Sequence, residues 1–329
     1  MRARIQRFLM KNVTLSRVIV LSVLYFAIMV LAAFYLGVFE SQATYRERNA
    51  AIGMPLLTAY SFICNYYLLA RARFCLYEFL TLNQLIRREK WVLNKLVKRS
   101  WLNFKVAWVV GITITLVYLY TEGLLAVDLD PLILFLNVSA VPFWSMCMLL
   151  ILQLIFITRL VIKHFLDKER IGIFGNKKLL PISDLVISNT VMTVFFFALF
   201  PVFWINKDIP IIDKALIIVV LIAIVSLLFR PVIKVQKSIA LQKQQALERI
   251  NNSMLVIFDH RQINMRRLTD DPERLRRLSS LVALKQEVSK ASEWPIDLPQ
   301  SIKGVLVAIS IPLSWAIGSL IETFISTVL

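Results

Sequence analysis

Glycine, histidine, cysteine and acidic residues are all scarce in this chain, and each shortage closes off a class of chemistry. Eight glycines in 329 residues supply no Gly-rich phosphate-binding loop. Two histidines, His164 and His260, and three scattered cysteines, Cys64, Cys75 and Cys147, show neither metal-ligand spacing nor a disulfide framework. No G-x-S-x-G, H-E-x-x-H or Walker motif is present. Asp259-His260-Arg261 and Asp270-Asp271 read as solvated residues of amphipathic helices and of a helix cap rather than as acid/base groups. These shortages argue against an enzyme. No catalytic residue, cofactor or metal ligand is assigned.

What the chain has in excess is apolar sequence. Hydrophobic residues make up 58% of it and the mean hydropathy is +0.69, far from an ordinary soluble domain. Seven apolar runs stand out: residues 18–39, 49–70, 106–127, 131–158, 185–206, 210–232 and 304–324. Most reach the ~20 residues needed to cross ~30 Å of hydrocarbon. The sixth has only fifteen uncharged residues between Lys214 and Arg230, but both flanking side chains can snorkel to opposite interfaces. Residues 1–17, with five basic residues and no acid, suit a short amphipathic helix on the membrane surface. The run after it is too long for a signal peptide and has no clear cleavage site, so it reads as a retained span.

Charge orients these runs. Lysine and arginine outnumber acids 38 to 21, which could suggest nucleic acid, yet they sit in blocks between apolar runs rather than on one basic domain. No nucleic-acid partner is expected. With the N-terminus cytoplasmic, the inner segments 1–17, 71–105, 159–184 and 230–303 hold 34 of the 38 basic residues, the positive-inside pattern. The C-terminus is then expected outside. Segment 71–105 reads as helical, with a polybasic approach to the third span. Arg87, Arg88, Lys95, Lys98 and Arg99 are candidate contacts for anionic lipid, at about 1 kcal/mol per charge. Setting topology alone is a slightly stronger explanation of these charges. Trp91 and Trp101 suit the headgroup region.

Between the sixth and seventh runs lies the longest polar stretch, residues 233–303. Leu247, Ile250, Met254 and Ile257 are spaced three, four and three apart, the stripe of a packing helix. Asp271-Pro272-Glu273 reads as a new helix start, with an N-cap, a proline and an acid in the first turn. Leu275, Leu278, Leu281, Val282 and Val288 give that second helix an apolar face. The expectation is a cytoplasmic helical hairpin, its first helix running over 236–263. Leu247, Ile250, Met254, Ile257, Leu275 and Leu278 form the candidate face for a protein partner or a second copy. Simple packing of the two helices on each other is the stronger alternative.

Polar residues within the spans are few. Glu122 and Glu322 fall near outer ends, where interface anchoring explains them. Asn65, Asn137, Gln153 and Asn189 lie deeper, and hydrogen bonding between helices accounts for them better than a polar path does. Should the protein conduct, Asn137, Asn189, Glu122 and Glu322 are the candidate lining. Pro55, Pro142, Pro201 and Pro312 allow kinks.

The C-terminal quarter carries a further pattern. Arg277-Leu278, Leu281, Leu284 and Val288 lead to Glu293-Trp294-Pro295-Ile296-Asp297. The last run follows as Ile311-Pro312-Leu313-Ser314-Trp315, then Gly318 and Glu322. Over about sixty residues this resembles uncharacterised multi-pass inner-membrane proteins of bacteria. The resemblance implies a bacterial inner membrane and no known activity. Together these readings predict an all-α polytopic protein of about seven transmembrane helices. Its parts are the basic segment 1–17, spans one to six over 18–232 with inner loops 71–105 and 159–184, the hairpin 233–303 and a terminal span within 304–329. The function expected is that of a scaffold, sensor or effector subunit contacting membrane lipid and a partner or copy. An ion channel or transporter subunit is the alternative.

Overall fold

A computed structural model describes residues 15–40, 44–121, 131–163, 179–205, 211–258 and 272–291. These residues form seven α-helices and no strand: α1 Leu15–Tyr35, α2 Tyr45–Leu82, α3 Glu89–Thr121, α4 Pro131–Val161, α5 Leu180–Ala198, α6 Ile211–Phe258 and α7 Pro272–Lys290. Six segments, α1 to α4, α5 with the 3-10 turn after it, and α6, are long and apolar enough to cross a membrane. The seventh apolar run, 304–324, lies outside the described residues, as do Glu122, Pro312 and Glu322.

The packing is what a helical membrane protein requires. With no water to satisfy backbone groups in hydrocarbon, each span is a continuous helix. The core gathers on α2 and α4, whose apolar windows are 50% and 56% buried, against 17% for α1 and 22% for α3. Leu57, Leu68, Leu76 and Phe79 of α2 meet Leu150, Leu154 and Ile157 of α4 in one buried cluster, joined by Ile182 and Leu185 of α5 and by Leu228 of α6. α1 and α3 turn large apolar side chains outward, among them Val20, Leu31, Phe34, Val109 and Val117, as lipid-facing helices do.

Local chemistry sets the ends. Thr44 and Glu47 form a capping box at the start of α2, satisfying two orphan N–H groups. α2 stops where Gln84 takes a left-handed φ of 59° and the Leu85 N–H returns to the Leu80 carbonyl at 2.8 Å. Pro201 ends α5, and a 3-10 turn over Phe200–Trp204 follows. Asn49 of α2 anchors that turn, its Nδ2 donating to the carbonyls of Phe203 (3.2 Å) and Ile205 (2.7 Å). The Phe203 ring lies where a Cβ on Gly53 would stand, 2.9 Å from its Cε1. The Arg46 guanidinium donates to the Tyr118 hydroxyl. The start of α2 and the ends of α3 and α5 therefore meet at one end of an antiparallel bundle.

Two features differ from expectation. The sequence divides the sixth span from the polar stretch at 232/233, whereas α6 runs through that point as one helix of 48 residues, about 72 Å at 1.5 Å per residue. Hydropathy changes there, but helix-forming residues continue, and Pro231 alone costs only the hydrogen bond to the Leu227 carbonyl. Likewise α3 unites the basic approach and the third span, and the whole of 89–121 is helical. α7 begins at Pro272, as the cap residues predict, and packs against α6. The Lys243 Nζ donates to the Ala291 carbonyl at 3.0 Å.

Candidate functional site

The most distinctive site among the described residues is a basic cleft where α3 begins and α4 ends. On α3, Trp91, Asn94, Lys95, Lys98, Arg99 and Leu102 recur at helical spacing and share one face. Phe156, Arg159 and Leu160 do the same on α4, and Lys163 lies two residues past its end. Together they line a cleft of about 740 Å³. Five of the ten residues are cationic, and no carboxylate lines the cleft among the described residues. The Lys95 ammonium sits 4.6 Å from the Trp91 ring centroid, a cation–π contact that holds it toward the cleft wall. Leu102 and Phe156 form an apolar floor on the span side of Lys98, Arg99 and Arg159, and Leu160, only 2% exposed, lies between Arg159 and Lys163. The cleft is thus apolar toward the spans and cationic through its middle, with Trp91 at the far end.

The close fit of α3 on α4 positions it. Asn103, Ala107, Gly111, Thr115 and Leu119 are all buried and fall four residues apart, a stripe of mostly small side chains that lets two helices approach. A Cβ on Gly111 would stand 2.7 Å from both Cα and N of Ser145, so α3 lies directly on the α4 backbone there. Nearer the cleft, Asn103 Nδ2 donates to the Leu152 carbonyl at 3.3 Å and Gln153 Nε2 to Ser100 Oγ at 3.5 Å.

Of the basic residues singled out from sequence, Lys95, Lys98 and Arg99 line the cleft. Arg87 and Arg88 occupy the exposed 3-10 turn before α3 and do not line it. Arg159 and Lys163 were not foreseen as their companions. Their only sequence signal is a basic pair at the end of the fourth span.

The candidate partner face divides. Ile250 is buried, and Leu247, Met254, Ile257 and Leu278 are half-buried, while α7 lies along α6 with Val288 buried. Leu275 is exposed. It aligns with Leu278 and exposed Val282 at spacings of three and four, a stripe distinct from the Leu281/Val288 side. Leu241, Leu255 and Val256 of α6 are exposed as well.

The amides inside the bundle mostly join helices. Asn65 Nδ2 donates to the Ser61 carbonyl at 2.8 Å and to the Met146 carbonyl of α4 at 3.4 Å, and Gln153 reaches Ser100. Asn189 is buried midway along α5 and its Oδ1 has no partner among the described residues. Asn137 is half-buried, two turns into α4. Neither lines the α3/α4 cleft, and Glu122 and Glu322 lie outside the described residues. No group of three or more metal-ligating side chains occurs among the described residues.

No family model, curated protein or solved structure is significantly similar to this chain.

Proposed function

We propose that the protein is a non-enzymatic scaffold, sensor or effector subunit of a bacterial inner membrane. Its cytoplasmic helical extension recruits a protein partner or a second copy. In this reading the N-terminus is cytoplasmic, residues 304–324 form a seventh span, and α6 and α7 make a hairpin projecting from the inner face. The concentration of 34 of 38 basic residues in the expected inner segments supports that orientation.

The observation that carries the proposal is uncovered apolar surface on the polar extension. From Arg230 to its end, α6 continues for about 43 Å, and α7 packs on it. Yet Leu255 and Val256 are 61% and 68% exposed, and Leu275 and Val282 face outward on α7. Beyond the membrane such side chains face water, and burying each fully is worth about 1.5–3 kcal/mol. A membrane tether raises the local concentration of copies and aids a contact too short for an autonomous coiled coil.

The test is purification of full-length protein in mild detergent beside a variant carrying Leu255→Gln, Val256→Gln, Leu275→Gln and Val282→Gln. Reduced particle size or loss of a co-purifying chain is expected, with the helical spectrum retained. Identical size and composition would refute the reading. Solute flux through protein in liposomes above an empty-liposome control would instead favour a pore.

A further inference from the structure

The geometry points to the α3/α4 cleft as a binding site for an anionic phospholipid whose headgroup carries two phosphates. This inference is independent of what the α6/α7 extension binds. Lys95, Lys98 and Arg99 face Arg159 and Lys163 across a space of about 740 Å³, within the range of small-molecule sites. Like charges brought together from two helices repel, and one phosphate would offset only part of that repulsion. Two phosphates joined by a short linker answer charges on both walls at once. Arg99 and Arg159 can each engage phosphate oxygens with paired N–H groups, and the lysines act as point charges.

The apolar floor separates a lipid from a soluble ligand. Leu102 and Phe156 lie on the span side of Lys98, Arg99 and Arg159, where each helix enters its apolar run, and buried Leu160 sits between Arg159 and Lys163. Trp91 stands at the far end, held against Lys95. A soluble phosphate compound has no use for an apolar floor, whereas a phospholipid places its acyl chains there. On the α3 wall Trp91, Lys98 and Arg99 are exposed and Leu102 is 45% exposed, so the cleft is open on that side. A lipid can therefore enter laterally from the leaflet. Three of the residues were legible as a polybasic approach. The opposing wall on α4 turns a diffuse patch into a cleft with a defined headgroup position.

The experiment uses full-length protein in nanodiscs of phosphatidylcholine doped with either phosphatidylglycerol or diphosphatidylglycerol, followed by native mass spectrometry of retained lipid. Diphosphatidylglycerol is expected to be retained in preference to both others. A K98Q/R99Q/K163Q variant removes three cleft charges and should weaken retention about a hundredfold, at about a factor of five per charge. A K90Q/K105Q/K237Q control removes as many charges outside the cleft and should change retention by less than about threefold. A K98R/K163R variant, which keeps the charges, should bind as the wild type does. Equal losses in the cleft variant and the control would overturn the site, because binding would then follow net charge alone. Equal retention of one- and two-phosphate lipids would overturn the headgroup assignment. Displacement of the lipid by equimolar inorganic pyrophosphate would overturn the lipid source and assign the cleft to a soluble phosphate.

Discussion

Gly111 offers the sharpest test of how the bundle is held. A Cβ at this position would lie 2.7 Å from the Cα and N of Ser145, where ordinary contact begins near 3.4 Å. The Ser145 Oγ also stands in the way but can rotate aside; the backbone atoms cannot, so admitting even one methyl group requires α3 and α4 to separate by about 0.7 Å. Overpacking of this kind costs about 1–3 kcal/mol, a shift of roughly five- to a hundredfold in the folding equilibrium. Gly→Ala gains about 0.5–1 kcal/mol of helix propensity in return, so Gly111→Ala is expected to be mildly destabilising. Gly111→Val adds bulk without the full propensity gain and should lose about 2 kcal/mol or more. Ser145→Gly should rescue either variant only in part, because the collision with Cα and N remains. The assay is reversible unfolding in mixed micelles, with the exposed α3 substitution Ile112→Ala as reference. Gly111→Val as stable as wild type, or full rescue by Ser145→Gly, would refute the close approach.

Other expectations follow from the same packing. Asn49→Leu removes both bonds to the turn after α5 and should destabilise the fold by about 1–3 kcal/mol, read as an earlier unfolding midpoint, while Asn49→Asp is expected to fail in the same way. Cys64, Cys75 and Cys147 are all buried and should resist maleimide in the native protein, then label fully in denaturant; rapid native labelling would contradict the core. Spin labels at Ser226 and Ser253, 27 residues apart on α6, should give a distance near about 40 Å. A clearly shorter or broad distribution would mean that α6 breaks near Pro231.

Much of this architecture was legible in sequence because hydrocarbon imposes long apolar runs and little else. The first six runs fall on α1 to α6, and Pro272 opens α7 where its cap residues place it. Asn65 and Gln153 join helices, the stronger of the two readings given to them. Helix continuity was harder to read. Hydropathy drops after Val232 and before Val106, but backbone hydrogen bonding does not depend on hydropathy, and α6 and α3 cross both points intact. The Asn103–Leu119 stripe was hidden because Ala107, Gly111 and Thr115 sit in a run that is apolar on every face. On periodicity alone, any of them could equally have pointed at lipid. The cleft needs two walls some sixty positions apart in sequence, carrying Lys98 and Arg159 for example, and no local spacing signals that. The partner face was partly used internally: Ile250 is buried, while Leu275 and Val282 stay outside.

The most direct test of the central claim is cross-linking from the outward stripe of the extension. With the three native cysteines replaced by alanine, a single cysteine at Val282 should form a discrete higher-mass adduct in native membranes treated with a short bis-maleimide. A cysteine at Val288, buried on the same helix, should form none. An adduct at Val282 alone is the result the account predicts. Monomer at both positions, or equal adducts at both, would contradict it.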